Sequence, residues 1–454
     1  MGILQSVDFV DYANKIRANI YAWQKAAGSG NHRTCIPGAA SSHSVFASAS
    51  ELLTWHKRSG DKMLDINRTL ATPSAAEMLA RAEMLVPVLA SRASAAEKLG
   101  RCPDETISDF LESNLLRVCQ PSLYGGYEMG YDVLCNIIQT LARGCASQAW
   151  TYMVLADNPL KLATFSKRAQ DEVWGDDDTQ RVGVAVAAVG TGTPVDGGIL
   201  WSGTHGFSSG IDHVHWLICG GFIEHEGNKQ GCMALIPKTD VSLADDWHVV
   251  GLAGTGSKSF SVDRVFVPAH RIISKSDYDA GTTPGAQMHN SAVFRMPRGG
   301  VSAASYAAVS IGAAQGMLNA FCEYTAPRKS RGKAVAQEAG TQMAIGIASA
   351  EIEAAERMYM GALQETMEVL ERGDKVTGEQ QAQGKRNCCY AAQLAMQATH
   401  RLFNNAGGRA LFTDNVMQRH FRDCFAASAH YSLSWDSASA EYGRQKLAAL
   451  SVSA

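Results

Sequence analysis

Gly203-Thr-His-Gly-Phe-Ser-Ser-Gly-Ile-Asp-His213 and, further on, Gly251-Leu-Ala-Gly-Thr-Gly-Ser-Lys-Ser-Phe-Ser-Val-Asp-Arg-Val-Phe-Val-Pro268 decide the fold. In both, a Gly/Ser/Thr loop adjoins alternating apolar residues, the pattern of a half-buried strand. Small residues let backbone approach a flat ligand closely, and hydroxyls at the strand end aim hydrogen bonds at it. The two pieces therefore predict a ligand-facing loop on a β scaffold.

Working outward, the β-branched runs Val182 to Val189, Gly198 to Ser202, Val214 to Phe222, Cys232 to Ile236 and Ser259 to Val267 are separated by glycines and predict a small β domain over residues 179–280. Ahead of it, residues 66–178 are helical in pattern. Ser74-x-x-Glu77 is a capping box followed by Met78, Leu79, Ala82, Leu85, Val86 and Leu89 at helical spacing, with Pro87 as a point of kinking. A second helix opens after Pro103-Asp104, and a third runs from Tyr131 to about Ala146. Beyond the β domain, Ala304 to Tyr324, Glu338 to Arg372, Gly378 to Asn405 and Asp414 to Leu450 predict an antiparallel bundle within residues 281–454. Residues 1–65 are broken by Gly28-Ser-Gly-Asn31 and Gly38-Ala-Ala-Ser-Ser-His43 and read as a poorly ordered extension.

The totals narrow the class. At 454 residues the chain is long enough for two or three domains, and a net charge of −3 with dispersed Lys and Arg favours neither nucleic acid nor a membrane surface. The 11 cysteines contain no Cys-x-x-Cys pair and read as reduced thiols, and the longest apolar run, Val182 to Gly190, is too short to span a bilayer. A cytoplasmic location follows as the expectation. Gly251 to Ser259 misses a phosphate-binding loop because an extra serine separates Gly256 from Lys258 and a strand follows. Gly190-Thr-Gly192 misses the dinucleotide fingerprint because Val195 holds the third glycine position. His205, Asp212, His213 and His215 read as a strand edge, and no metal site is expected.

Tyr124-Gly-Gly-Tyr-Glu128, the Ser-Ser-Gly strand end, Gly254-Thr-Gly-Ser257 leading to Val265-Phe-Val-Pro268, and Ala406-Gly-Gly408 before Arg419-His-Phe-Arg-Asp423 stand in the order that resembles the acyl-CoA dehydrogenase fold over about residues 66–448. The resemblance implies an α+β chain with an N-terminal helical domain, a middle β-barrel domain and a C-terminal four-helix bundle. Many of those dehydrogenases carry a glutamate shortly after the Arg-Asp pair. Here Arg422-Asp423 leads to Cys-Phe-Ala-Ala-Ser-Ala-His-Tyr431, with His430 at about that place. The chain is similar instead to the oxygenase components of two-component flavin monooxygenases, a group that includes p-hydroxyphenylacetate and hydroxylated steroid-ring hydroxylases.

That similarity implies reduced FMN or FAD supplied by a separate NAD(P)H:flavin reductase in transient contact, O2 as co-substrate, a hydroperoxyflavin, a small indolic or phenolic aromatic substrate and a homotetramer. Ser209 would contact the flavin and His430 would act on the substrate side; without the resemblance, Ser209 reads as a strand-turn cap and His430 as a core histidine. Phe207, Ser208 and Trp150 fall at family positions around flavin and substrate. Arg298, Arg328 and Arg331 would reach a flavin phosphate, and Gly407 and Gly408 would approach the cofactor or merely end a helix. Asn158 and Val184 stand where the p-hydroxyphenylacetate enzyme has histidine and serine, which implies a less polar substrate pocket. The alternatives are an acyl-CoA dehydrogenase with a displaced base and a flavin-binding protein without turnover.

Overall fold

Ser74 and Glu77 start the first helix reciprocally: Glu77 N donates to Ser74 Oγ at 3.2 Å, and Ser74 N donates to Glu77 Oε2 at 2.6 Å. The computed structural model describes residues 72–225, 227–297 and 302–451, so the expected extension over residues 1–65 lies outside the described residues, as does Arg298. Helix α1 (Ala75–Leu99) continues through Pro87, because its buried face, Met78 and Ala82 before the proline and Leu89, Ala93 and Ala96 after it, is held on both sides. Helix α2 (Asp104–Glu112) follows. Helix α3 (Tyr131–Ala142) ends earlier than its pattern predicts, and a separate helix α4 (Ala146–Leu162) begins, then α5 (Lys167–Trp174). Nearly all of α4 is buried, which removes the one-sided periodicity by which a sequence announces a helix.

The strands β1 (Val182–Val195), β2 (Gly198–Ser208), β3 (Trp216–His225), β4 (Asn228–Pro237), β5 (Ser242–Leu243), β6 (Lys258–Pro268) and β7 (Ile272–Ser274) form one sheet in the order β5-β6-β2-β1-β3-β4-β7. All neighbours are antiparallel except β1 and β3. Register irregularities interrupt β1 between Ala185 and Gly190 and β2 between His205 and Ser208. The second leaves Phe207 80% exposed with a φ of 58°, at the strand end that the sequence marks as ligand-facing.

After α6 (Lys275–Ala280) come α7 (Ser302–Thr325), the two-strand hairpin β8 (Lys329–Ser330) and β9 (Lys333–Ala334), α8 (Ala339–Glu371), α9 (Gly378–Ala406), α10 (Val416–Ser428) and α11 (Trp435–Ser451). Helix α7 packs against α3, α9 and α10, and its buried Ala304, Ala307, Ala308, Ala313 and Ala314 let those neighbours come close. The helix expected over 414–450 is broken: between α10 and α11 the chain turns at His430, whose φ of −61° and ψ of 138° are not helical. Among the described residues no helix is long and apolar enough to cross a membrane, and every cysteine is free.

One core residue is conspicuous. His205 is fully buried, stacked between Trp201 and Phe260 with centroids at 6.4 and 5.0 Å, and neither ring nitrogen has a hydrogen-bond partner among the described residues. Burial depresses its pKa to about 4. The unfolded chain therefore takes up a proton on this ring as pH falls through about 6.5 while the folded chain refuses it until near 4, so His205 costs stability across that window. His205→Phe is expected to stabilise the fold by about 1 kcal/mol at neutral pH and by more at pH 5. Urea unfolding at both pH values measures this; an equal gain at both would refute the linkage.

Candidate active site

The two motif loops meet where Gly210 N donates to Thr255 O at 2.9 Å. The second loop is wedged between helices: a Cβ at Gly251 would lie 2.2 Å from the Arg422 carbonyl oxygen, and one at Gly254 would lie 3.1 Å from the Cβ atoms of Ala96 and Ser147. No larger residue fits at Gly251, and one at Gly254 would have to push its neighbours aside. Leu252, between them, takes a φ of 55°. It holds this conformation because its N–H donates to Asp423 Oδ1 at 2.7 Å while its carbonyl accepts from Thr255 Oγ1 at 2.8 Å and Trp247 Nε1 at 3.2 Å. Asp423 Oδ2 also accepts from Ser147 Oγ at 3.4 Å. Burial pushes the Asp423 carboxyl up to about 6, against the pull of the Leu252 N–H and Arg422. Beside it, Glu97 of α1 pairs with Arg419 at 2.9 Å and with Arg422.

From Leu252 a chain of hydroxyls runs to the site, and its polarity is determined. Thr255 Oγ1 spends its proton on Leu252 O, so in the 2.7 Å contact with Ser257 Oγ it must accept. Ser257 has then used its own proton, so in the 2.7 Å contact with Ser209 Oγ it accepts in turn, and Ser209 donates. Trp150 Nε1 donates to Ser209 Oγ at 2.9 Å. Ser209 is left with one lone pair and no proton. It meets a ligand as an acceptor only.

Trp150 is also part of an aromatic wall. His430 stacks on Tyr306 at 3.9 Å and 22°, meets Trp150 edge-on at 5.6 Å, and lies 4.6 Å from the exposed ring of Tyr431. Its Nδ1 accepts from Ser432 N at 3.3 Å, which assigns the ring proton to Nε2. Burial lowers the His430 pKa to about 4, so at neutral pH the ring is an uncharged donor through Nε2–H.

The structure thus brings together Trp150, Ser209 and His430, with Phe207 beside them, its ring edge-on to Trp247 at 6.0 Å. Ser208 is buried, and its Oγ has no hydrogen-bond partner among the described residues. The other expected residues make contacts of their own. Asn158 is buried and donates to Val182 O at 2.8 Å, and Val184 is half-buried on an apolar cluster that includes Leu162, Phe165 and Ile218. Arg328 donates to Ala406 O at 2.6 Å beside Gly407, which ends α9; Gly408 opens the following turn, and Arg331 is exposed between β8 and β9. His205, Asp212, His213 and His215 turn to four different neighbourhoods: the Trp201 and Phe260 rings, Lys258, Cys102 O and Arg181 N.

A cavity of about 100 Å³ touches Leu155, Pro159, Trp174 and Val182. It lies beyond the opposite face of α4 from Trp150, since Leu155 and Pro159 are roughly 140° and 180° around the helix from it. The sequence assigns no site role to Ser257, Thr255 or Tyr306. The serine and threonine stand within the second quoted stretch, and Tyr306 is the one aromatic residue in the small-residue run from Ser302 to Gly316.

A hydroxyl held as an acceptor, an uncharged imidazole donor and a wall of rings suit a flat heteroaromatic cofactor and an aromatic partner. Comparison agrees. Residues 304–435 match the family described as acyl-CoA dehydrogenase, C-terminal domain. The chain is 32% identical to the flavin-dependent monooxygenase oxygenase subunit HsaA of Rhodococcus jostii, covering 80% of this chain and 96% of that protein. It is 32% identical to the p-hydroxyphenylacetate 3-hydroxylase oxygenase component of Acinetobacter baumannii, covering 82% and 89%. The crystal structure of the 3-HSA hydroxylase from Rhodococcus sp. RHA1 superimposes with a TM-score of 0.79 at 31% identity, covering 82% of this chain and 97% of that one. The chain belongs to the oxygenase subunits of flavin-dependent monooxygenases, enzymes with the acyl-CoA dehydrogenase-like fold.

Asp423 supplies a test of the geometry. Asp423→Asn keeps an acceptor for the Leu252 N–H and should cost under about 1 kcal/mol, whereas Asp423→Leu leaves that N–H buried and unpaired and should cost about 1–3 kcal/mol. Denaturant unfolding compares the two; equal losses would show that the Leu252 tie carries no stability.

Proposed function

We propose that this chain is the oxygenase component of a two-component system that receives reduced FMN or FAD from a separate, transiently bound NAD(P)H:flavin reductase, uses O2, and oxygenates a small aromatic substrate of the phenolic or indolic kind. Reduced flavin, when bound, would supply the chemistry that activates O2 for transfer of one oxygen atom to the substrate. What supports this reading most is the polarity of the hydroxyl chain, because an acceptor-only Ser209 matches a ligand edge bearing an N–H. A reduced flavin ring carries such a donor at a position where the oxidised ring has an acceptor.

The chain's own residues then divide the work. Ser209 orients the flavin edge and Trp150 locks the Ser209 rotamer; Phe207 and Ser208 border the same strand end. The rings of Trp150, Tyr306 and His430 form an apolar wall that keeps water from the reacting oxygen. His430, neutral and protonated on Nε2, donates a hydrogen bond toward the substrate side. Arg328 and Gly407, side by side at the end of α9, are the residues proposed to border the flavin phosphate. A homotetramer fits the apolar surface that Met343 and Ile347 of α8 and Leu411 and Phe412 after α9 leave exposed.

Ser209→Ala should weaken binding of reduced flavin by roughly tenfold and that of oxidised flavin by much less, since the lost acceptor serves only the reduced ring. Anaerobic and aerobic titrations measure the pair, and equal weakening of both would remove the acceptor role.

The function itself is tested by stopped flow. Protein mixed with reduced FMN or FAD and then with oxygenated buffer should give a long-lived flavin–oxygen adduct, and the isolated chain should not oxidise NADH. Rapid NADH oxidation or immediate peroxide release would sink the reading. His430→Phe keeps the ring stack on Tyr306 while deleting the donor, and should lower product formation at least about tenfold with the adduct still forming. With a pKa near 4, His430 should add no limb to the rate profile between about pH 6 and 8.

A further inference from the structure

Helix α4 is buried along nearly its whole length. From Ala146 to Leu162 only Val154, Asp157 and Lys161 keep intermediate exposure. Together with Trp150 these positions fall within roughly 60° of one line along the helix, so they form a single stripe. Trp150 holds the end beside Ser209 and His430. Val154 comes next, with its Cγ2 3.6 Å from where a Cβ on Gly210 would stand. At the far end Lys161 and Asp157 form an ion pair whose side chains remain 22% and 17% exposed. At the other end the Trp150 ring meets Tyr306 at 5.2 Å and Tyr306 stacks on His430, so the stripe runs from the ion pair to the aromatic wall of the site.

An ion pair in such a position is not explained by stability. Desolvating two charges costs about as much as their attraction returns, and apolar residues of similar size would serve the fold equally well. The pair also keeps hydrogen-bonding capacity: the Tyr131 hydroxyl takes one place on the Asp157 carboxylate, and Lys161 reaches Asn158 Oδ1 only at 3.5 Å. Because the pair is neutral as a unit, a substrate carboxylate would meet Asp157 repulsively. A group that both donates and accepts suits it better.

Resting on the monooxygenase reading, we infer that Asp157 and Lys161 form the pole of the pocket that reads a hydroxyl on the substrate's aromatic ring, the hydroxyl donating to the carboxylate and accepting from the ammonium. The pocket is then polar at this end and apolar along Val154 and the ring wall. A phenolic hydroxyl meets the hydrogen-bonding capacity that the pair has left over, whereas a ring without a hydroxyl leaves that capacity unmet.

The test compares 4-methylphenol with its methyl ether, 4-methylanisole, by quenching of protein fluorescence in the full chain. Wild-type protein should bind the phenol at least about tenfold more tightly than the ether. The double variant D157N/K161M, which removes both charges at once and strands neither, should reduce that preference to about twofold or less. No preference in the wild type, or an undiminished preference in the double variant, overturns the assignment. Should the double variant fail to fold, the wild-type comparison decides alone. Adduct formation with reduced flavin and oxygen, run without any aromatic compound, separates the two levels. An adduct without hydroxyl discrimination leaves the monooxygenase reading standing and the hydroxyl pole refuted, and no adduct in the wild type brings down both.

Discussion

Asp423 is the point on which the site depends. Its two carboxylate oxygens hold Leu252, in the loop before β6, and Ser147, at the start of α4, while the residue itself belongs to α10. One side chain therefore ties the N-terminal helices, the sheet and the C-terminal bundle together within hydrogen-bond distance of where the hydroxyl chain begins. The cost is a buried carboxyl pushed up to about 6. Glu97 reaches across from α1 to Arg419 and Arg422, so charge is balanced in the shell around Asp423 and does not enter the site.

From that anchor a directional order propagates. Leu252 offers a carbonyl, and each hydroxyl in turn must donate toward it, so Thr255, Ser257 and Ser209 all point one way. Such a row is preorganised: none of its members can reverse without stranding a neighbour. Ser209 reaches the ligand face with its donor already committed, and Trp150 fixes it from the other side. An acceptor in one place and a neutral imidazole donor in another give the site opposite polarities without a formal charge on either group.

Much of this was legible in the sequence, for reasons that are local. The capping box at Ser74, the β-branched runs and the long bundle periodicities each encode their own element, and the Ser-Ser-Gly and Gly-Thr-Gly-Ser stretches mark strand ends where backbone and hydroxyls face a ligand. What was not legible depends on neighbours. Helix α4 is apolar or buried almost all round, so it has no amphipathic period, and the one stripe that is not buried emerges only once the bundle and sheet have closed over the rest. The turn at His430 carries no Gly or Pro and is set by the imidazole accepting from Ser432. Asn158, read from sequence as a pocket residue, spends its amide on the backbone of β1, a partner that periodicity cannot reveal.

The same stripe sorts the polar side chains of α4 by direction. Residues one step apart on a helix differ by about 100°, so Asp157 and Asn158, adjacent in sequence, make different contacts: Asp157 the Lys161 ammonium and the Tyr131 hydroxyl, Asn158 the Val182 carbonyl. Asn158 still touches the pair through its Oδ1, 3.5 Å from Lys161 Nζ, while its amide nitrogen is committed to the backbone of β1. Charge on this stripe sits at the Asp157–Lys161 end, and the uncharged Ser209 and His430 lie at the Trp150 end. Between the two ends Val154 keeps the stripe apolar, so a ligand lying along it would meet a charged pair at one end and uncharged hydrogen-bonding groups at the other.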